Sequence, residues 1–206
     1  MGLDHLLIAP RSSFDRALDV GLGLTAIGWA VAGLVAGDGP WIPRAGISAL
    51  NVTVGVLFVA RSAAMEPGAF RDAAYAAPSV VASAVGSTWS ADVWPAWAEI
   101  VFVLASAWTL ASLGALGRSF AVLPTRRELV SRGPYRLVRH PVYAGELTMM
   151  VTTCATSGVW PALACLAVLL ALLVPRIAAE ERVLAGDPAY AAYARRVRYR
   201  LLPGLV

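Results

Sequence analysis

The sequence predicts an all-α polytopic membrane protein, with about six transmembrane helices and a cytoplasmic amphipathic C-terminal helix. Three observations predict it. Of 206 residues, 58% are hydrophobic and only 15% are charged, where a soluble domain carries about a quarter charged. The apolar residues are gathered into long uncharged runs, and mean hydropathy is +0.66. The basic residues, all arginine, sort by side when those runs are threaded through a bilayer.

The first run covers 17–36 and ends at the turn-forming Gly37-Asp38-Gly39-Pro40. Arg11 and Arg16 precede it as they would in a signal peptide. The run is long enough to span and others follow, so it reads as a retained helix. The second run, 45–60, stops at Arg61. The third, 73–89, is the weakest, being rich in Ala, Ser and Gly. The fourth, 95–116, is strong. The fifth, 141–157, and the sixth, 159–174, meet at Ser157-Gly158. Both are short for a hydrocarbon core of ~30 Å, which predicts a tight hairpin or a locally thinned bilayer.

With the N-terminus in the cytoplasm, sixteen of 17 arginines lie inside and only Arg44 lies outside. Deleting the third span would strand either Arg61 and Arg71 or the large cluster after Arg118 on the wrong side, so that span is kept. The result is a single membrane domain over 1–206. Residues 1–117 are its N-terminal helices, and 118–206 hold a polar loop, the hairpin and a tail. In the tail, 176–186 reads as helix with Gly186 as its cap, and Asp187-Pro188 begins another. Tyr190, Tyr193, Val197 and Leu201 recur at helical spacing among four arginines over 188–204, an amphipathic pattern suited to the inner membrane surface.

Several chemistries find no support. Cys154 and Cys165 lie in apolar runs and read as packing residues, and no metal is expected. Gly21-x-Gly23-x-x-Ala26 imitates a dinucleotide fingerprint but lies in a membrane run with no preceding strand. Ala111-x-x-x-Ala115 and Gly114-x-x-Gly117 read as helix-packing faces. Glu99, near the outer end of its run, can snorkel.

The stretch 132–147 is different. Pro141 suits a first helical position, which puts His140 at the cap and aims free backbone amides at an arginine-rich loop, a cradle for an anionic group such as a carboxylate. Gly145 leaves room for a ligand against backbone. Glu146, within a span, is a functional candidate, one turn beyond Tyr143. Interfacial anchoring accounts for His140 or Tyr143 singly, but not for Gly-Pro-Tyr followed by His-Pro-x-Tyr-x-Gly. Further on, Arg176 and Glu180 are i and i+4 and share a helix face.

Gly133-Pro-Tyr-Arg-x-x-Arg-His-Pro-x-Tyr-x-Gly145 resembles the signature of the isoprenylcysteine carboxyl methyltransferase and phospholipid methyltransferase superfamily. The tail's Arg176-x-x-x-Glu-Glu-x-x-Leu184, then Gly186, Tyr190, Tyr193 and Leu201-Leu-Pro203, is similar to that family's C-terminal pattern. The resemblance covers roughly the last 80 residues. It implies S-adenosylmethionine bound at the cytoplasmic face by Glu128, Leu129 and Val130, by Tyr135, by His140, Pro141, Val142 and Tyr143, and by Glu180. It implies a substrate-facing Arg176; the residues themselves add Glu180 as its catalytic partner and Glu146 on the substrate side.

Methyl transfer from a sulfonium is an in-line displacement that needs positioning and dryness more than acid–base machinery. A carboxylate acceptor is already ionised, and an arginine can clamp it in bidentate fashion. An amine must first lose a proton to a base such as Glu146 or Glu180. An arginine facing the substrate thus favours carboxyl methylation of a lipophilic acid. Phospholipid N-methylation is the alternative, followed by a sterol-type reductase using NADPH and by a non-enzymatic transporter. The expected partners are a lipophilic or lipid-anchored substrate and membrane lipids, with no nucleic acid. The expected location is a bacterial inner membrane with both termini and the site cytoplasmic.

Overall fold

A computed structural model describes residues 13–35, 39–60, 92–120 and 129–203. Six α-helices occupy them: α1 Ser13–Val35, α2 Trp41–Ala60, α3 Ala96–Leu116, α4 Pro141–Ala155, α5 Val159–Leu184 and α6 Pro188–Arg196. Short 3-10 turns cover Gly117–Ser119 and Gly133–Arg136. Among the described residues, four helical stretches are long and apolar enough to cross a membrane: Arg16–Val35, Trp41–Ala60, Ala96–Ser119 and Val159–Leu184. The expected count of about six is not confirmed by these residues. The third expected run, 73–89, lies outside the described residues. The fifth forms α4, whose 15 residues reach only ~22 Å.

The helices pack in chain order, each against the next. Gly23 and Gly55 bring α1 and α2 into close contact, since a Cβ on either would stand 2.7 Å from the other's carbonyl oxygen. Gly23 of the run that imitates a dinucleotide motif is thus half of a helix contact, while Gly21 faces open space. Arg44, the lone arginine expected outside, donates from Nε to the Gly33 carbonyl at 3.0 Å and from Nη2 to that of Leu34 at 2.6 Å, closing the end of α1.

α2 and α3 run parallel. Gly46 faces Phe102 and Ser106 at one end, while Leu57 and Phe58 pack with Leu113 and Phe120 at the other. Ala60 and Asp92 therefore lie at opposite ends of the bundle. α3 and α4 are antiparallel and unusually close. A Cβ at Gly145 would fall 2.0 Å from Thr109 Oγ1. The space that the sequence reading reserved for a ligand at Gly145 belongs to α3. Trp108 Nε1 donates to the Pro141 carbonyl at 2.9 Å and fixes where α4 begins.

The α4–α5 hairpin turns at Gly158, whose φ of +123° suits glycine. Cys154 and Cys165 are free, buried and packed in one cluster with Leu169. α5 does not stop at residue 174. It continues through Pro175 for 26 residues, about 39 Å, so Arg176 and the following glutamates ride the last turns of the spanning helix. Membrane helices tolerate such a proline when neighbours satisfy the freed carbonyl.

The tail also departs from expectation. Gly186 has no left-handed conformation, and α5 ends at Ala185 in helical geometry. Asp187 does cap α6, its Oδ1 accepting from the Ala189 amide at 2.8 Å. α6 then ends at Arg196, and 197–200 are not helical. Tyr190, Tyr193 and Val197 are buried in a cluster with Leu129 and Leu184. The apolar stripe predicted to lie on the membrane is spent on the protein's own interior.

Candidate active site

The fold brings the loop before α4 and the end of α5 together at one end of the bundle. Gly133, at φ +59°, starts the 3-10 turn that buries Tyr135. Arg132 anchors that turn by donating from Nε and Nη2 to the Ala115 carbonyl, at 3.4 and 3.3 Å. From the far side, Tyr193 donates its hydroxyl to the Tyr135 carbonyl at 2.9 Å.

His140 is the N-cap residue of α4, and no side chain caps that helix start. The first amides of α4 after Pro141 have no intrahelical partner by geometry alone. The His140 ring lies flat against that of Tyr143, with centroids 5.7 Å apart and planes 8° from parallel. Its Nδ1 stands 3.7 Å from Glu180 Oε2, and its Nε2 is 3.2 Å from Glu181 Oε1. Tyr143 donates its hydroxyl to Glu180 Oε1.

Arg176 meets the same group. Its Nε lies 3.5 Å from Glu180 Oε1, and its guanidinium carbon sits 4.8 Å from the Tyr143 ring centroid, a cation–π distance. Arg176 is only 7% exposed. This is no surface ion pair worth a few tenths of a kcal/mol. Stranding a buried guanidinium without its carboxylate costs about 3–5 kcal/mol. Glu146 keeps exposed surface and lies within electrostatic reach of both Arg176 and Glu180.

The expected cofactor residues divide. Tyr135, His140, Tyr143 and Glu180 gather, and Arg176 and Glu146 join them. Pro141 is buried under Trp108. Val142 turns its side chain to the packing of Leu57, Phe58 and Leu113. Leu129 packs on Tyr190 and Tyr193, Val130 is half-buried, and Glu128 lies outside the described residues.

Sequence reasoning missed Glu181, Arg139 and Arg200. Glu181 takes Arg139 Nη1 at 3.2 Å and Arg200 Nη2 at 3.0 Å, besides His140. The doubled glutamate and the flanking arginines were visible, but nothing in the spacing joined Arg200 to Glu181 before the tail was seen to fold back. Burial pushes the Tyr190 phenol up to about 12, helped by the nearby Glu181 charge. Burial likewise holds Tyr135 above the usual phenol range and Tyr193 at about 12.

Two tyrosine rings, an imidazole and an arginine–carboxylate pair thus lie together at one end of apolar helices long enough to span a membrane. Residues 95–187, from the start of α3 through the cap of α6, match the family model for phospholipid methyltransferases, a family of the integral membrane methyltransferase superfamily. No curated protein matches the chain.

Proposed function

We propose that the protein transfers a methyl group from S-adenosylmethionine to a lipophilic acceptor at the cytoplasmic face of a bacterial inner membrane. The observation that carries this reading is the meeting of His140, Tyr143, Arg176 and Glu180 across 40 residues of intervening chain, within the matched segment. The donor set fits the cofactor. Uncapped amides at the start of α4 suit its carboxylate. The Tyr143 face already attracts a cation, and the Tyr135 ring is buried in the preceding turn within electrostatic reach of Glu180 and Glu146. Glu180 offers a carboxylate for hydroxyl or ammonium donors. When bound, S-adenosylmethionine supplies an electrophilic methyl group on sulfur. The protein's residues hold, align and dry the site.

The acceptor chemistry follows from charge balance. Arg176 is the residue that supports carboxyl methylation, as in the isoprenylcysteine-type enzymes. Its charge, however, is met in place by Glu180, with Glu146 also in reach. A cluster already balanced or slightly acidic gives an incoming carboxylate little reward and welcomes an ammonium. Exposed Glu146 is then placed to accept the proton that an amine must lose. These features support an amine of a lipid headgroup over a carboxylate.

Two experiments test the reading. Calorimetry of detergent-solubilised protein should show S-adenosylhomocysteine binding that Tyr135→Ala and His140→Ala each weaken. Wild-type protein that binds none in an active lipid mimetic removes the proposal. Mass spectrometry of lipids from expressing cells then separates methylated amine from methyl ester.

A further inference from the structure

Successive helical residues point about 100° apart, so Glu180 and Glu181 serve different neighbours. Glu180 faces Tyr143 and Arg176. Glu181 faces the loop and the tail. We infer that Glu181 is a positioning residue that fastens the C-terminal segment across the cofactor turn and fixes the orientation of the His140 ring. The inference rests on the methyltransferase reading above.

Both oxygens of Glu181 are engaged. Oε1 accepts from His140 Nε2 and Arg139 Nη1, each at 3.2 Å. Oε2 accepts from Arg200 Nε at 3.1 Å and Nη2 at 3.0 Å, two charge-assisted bonds converging on one oxygen. The carboxylate is 12% exposed, so water competes weakly for it.

The segment it fastens is already registered by backbone. The Arg139 amide donates to the Tyr199 carbonyl and the His140 amide to the Arg200 carbonyl, both at 2.9 Å. Arg139 Nη2 adds a bond to the Arg198 carbonyl at 3.2 Å. His140 is thereby held twice, by the tail through its amide and by Glu181 through its ring. With the Nε2 proton directed at Glu181, the other ring nitrogen is presented toward Glu180 and the ring plane stays against Tyr143. Without Glu181 the imidazole loses the partner that sets its rotation, and Arg139 and Arg200 lose their common anchor. Glu181 need not touch cofactor or substrate for this role.

The test uses full-length protein in detergent with Glu181→Gln, Arg200→Ala and Arg200→Lys. Four readings are taken: S-adenosylhomocysteine affinity, nitrogen chemical shifts of the His140 ring, hydrogen exchange of the 139–140 amides, and thermal melting. Loss of charge-assisted bonds should weaken affinity about tenfold or more in Glu181→Gln. It should also shift the ring nitrogens and speed exchange at 139–140, with a lower melting temperature because Arg139 loses its carboxylate. Arg200→Ala, altering a half-exposed side chain, should act in the same direction, and Arg200→Lys should recover part of the loss. Unchanged affinity and ring signals in Glu181→Gln and Arg200→Ala overturn the inference while leaving the methyltransferase reading intact. If Glu181→Gln fails to fold, Arg200→Ala decides alone. If wild-type protein binds no S-adenosylhomocysteine, the methyltransferase reading falls and takes this role with it.

Discussion

The Tyr193 hydroxyl donates to the Tyr135 carbonyl across 58 residues of chain, at 2.9 Å and out of contact with solvent. Through this bond α6, which is outside the matched family segment, supports the turn that carries Tyr135. Tyr193→Phe leaves a buried carbonyl without its donor, at a cost of about 1–3 kcal/mol. The expected outcome is a lower melting temperature and weaker S-adenosylhomocysteine binding, read by thermal scanning and calorimetry. Binding equal to wild type would show that α6 does not brace the turn.

The same side chain gives a pH dependence. Burial raises the Tyr193 phenol from its ordinary value near 10 to about 12. The protonated form is the one the fold favours. Its contribution to stability is complete below about pH 10 and is lost as pH climbs through about 12. Tyrosinate absorbance and thermal melting followed together through that window should show late ionisation coupled to loss of structure, and Tyr193→Phe should remove part of the coupling.

Gly145 offers a packing test. A methyl group there would overlap Thr109 Oγ1, leaving α3 and α4 to separate. Gly145→Ala should destabilise the protein by about 1–3 kcal/mol. Adding Thr109→Ala in the same chain opens the space and should restore much of the loss. Additive damage in the double variant would refute the account.

Arg176 is expected to be intolerant of replacement. Arg176→Ala removes the positive partner of half-buried Glu180 and should cut methyl transfer by two orders of magnitude or more, from a loss of about 3 kcal/mol or greater. Arg176→Lys keeps the charge but not the planar fork over Tyr143 and should recover only a fraction. Activity of Arg176→Lys equal to wild type would reduce the residue to a simple counter-ion.

Much of this was legible in sequence because the signals were local. The runs that became α1, α2 and α3 announced themselves by length and hydropathy, His140-Pro141 by helix-start chemistry, and Arg176 with Glu180 by spacing on one face. What escaped depended on long-range contact. Tyr190, Tyr193 and Val197 recur at a spacing that also suits a short helix followed by extended chain, so periodicity alone carried the tail helix too far. Gly145 has the same sequence appearance whether a ligand or Thr109 fills the space beside it. The sixth run and the helix over 176–186 read as separate pieces in the sequence, and Pro175 is accommodated inside one continuous α5. Glu181 stood beside Glu180 with nothing to separate their duties until Arg200 arrived from the tail.

The unbroken length of α5 has a mechanical consequence. Arg176, Glu180 and Glu181 are rigidly joined to the rod that crosses the hydrocarbon, so its tilt sets their depth. Reconstitution into bilayers of graded acyl-chain length should therefore tune turnover. An optimum is expected where the rod's apolar length matches the host, with a decline in thicker membranes that draw the charged turns toward the lipid interior.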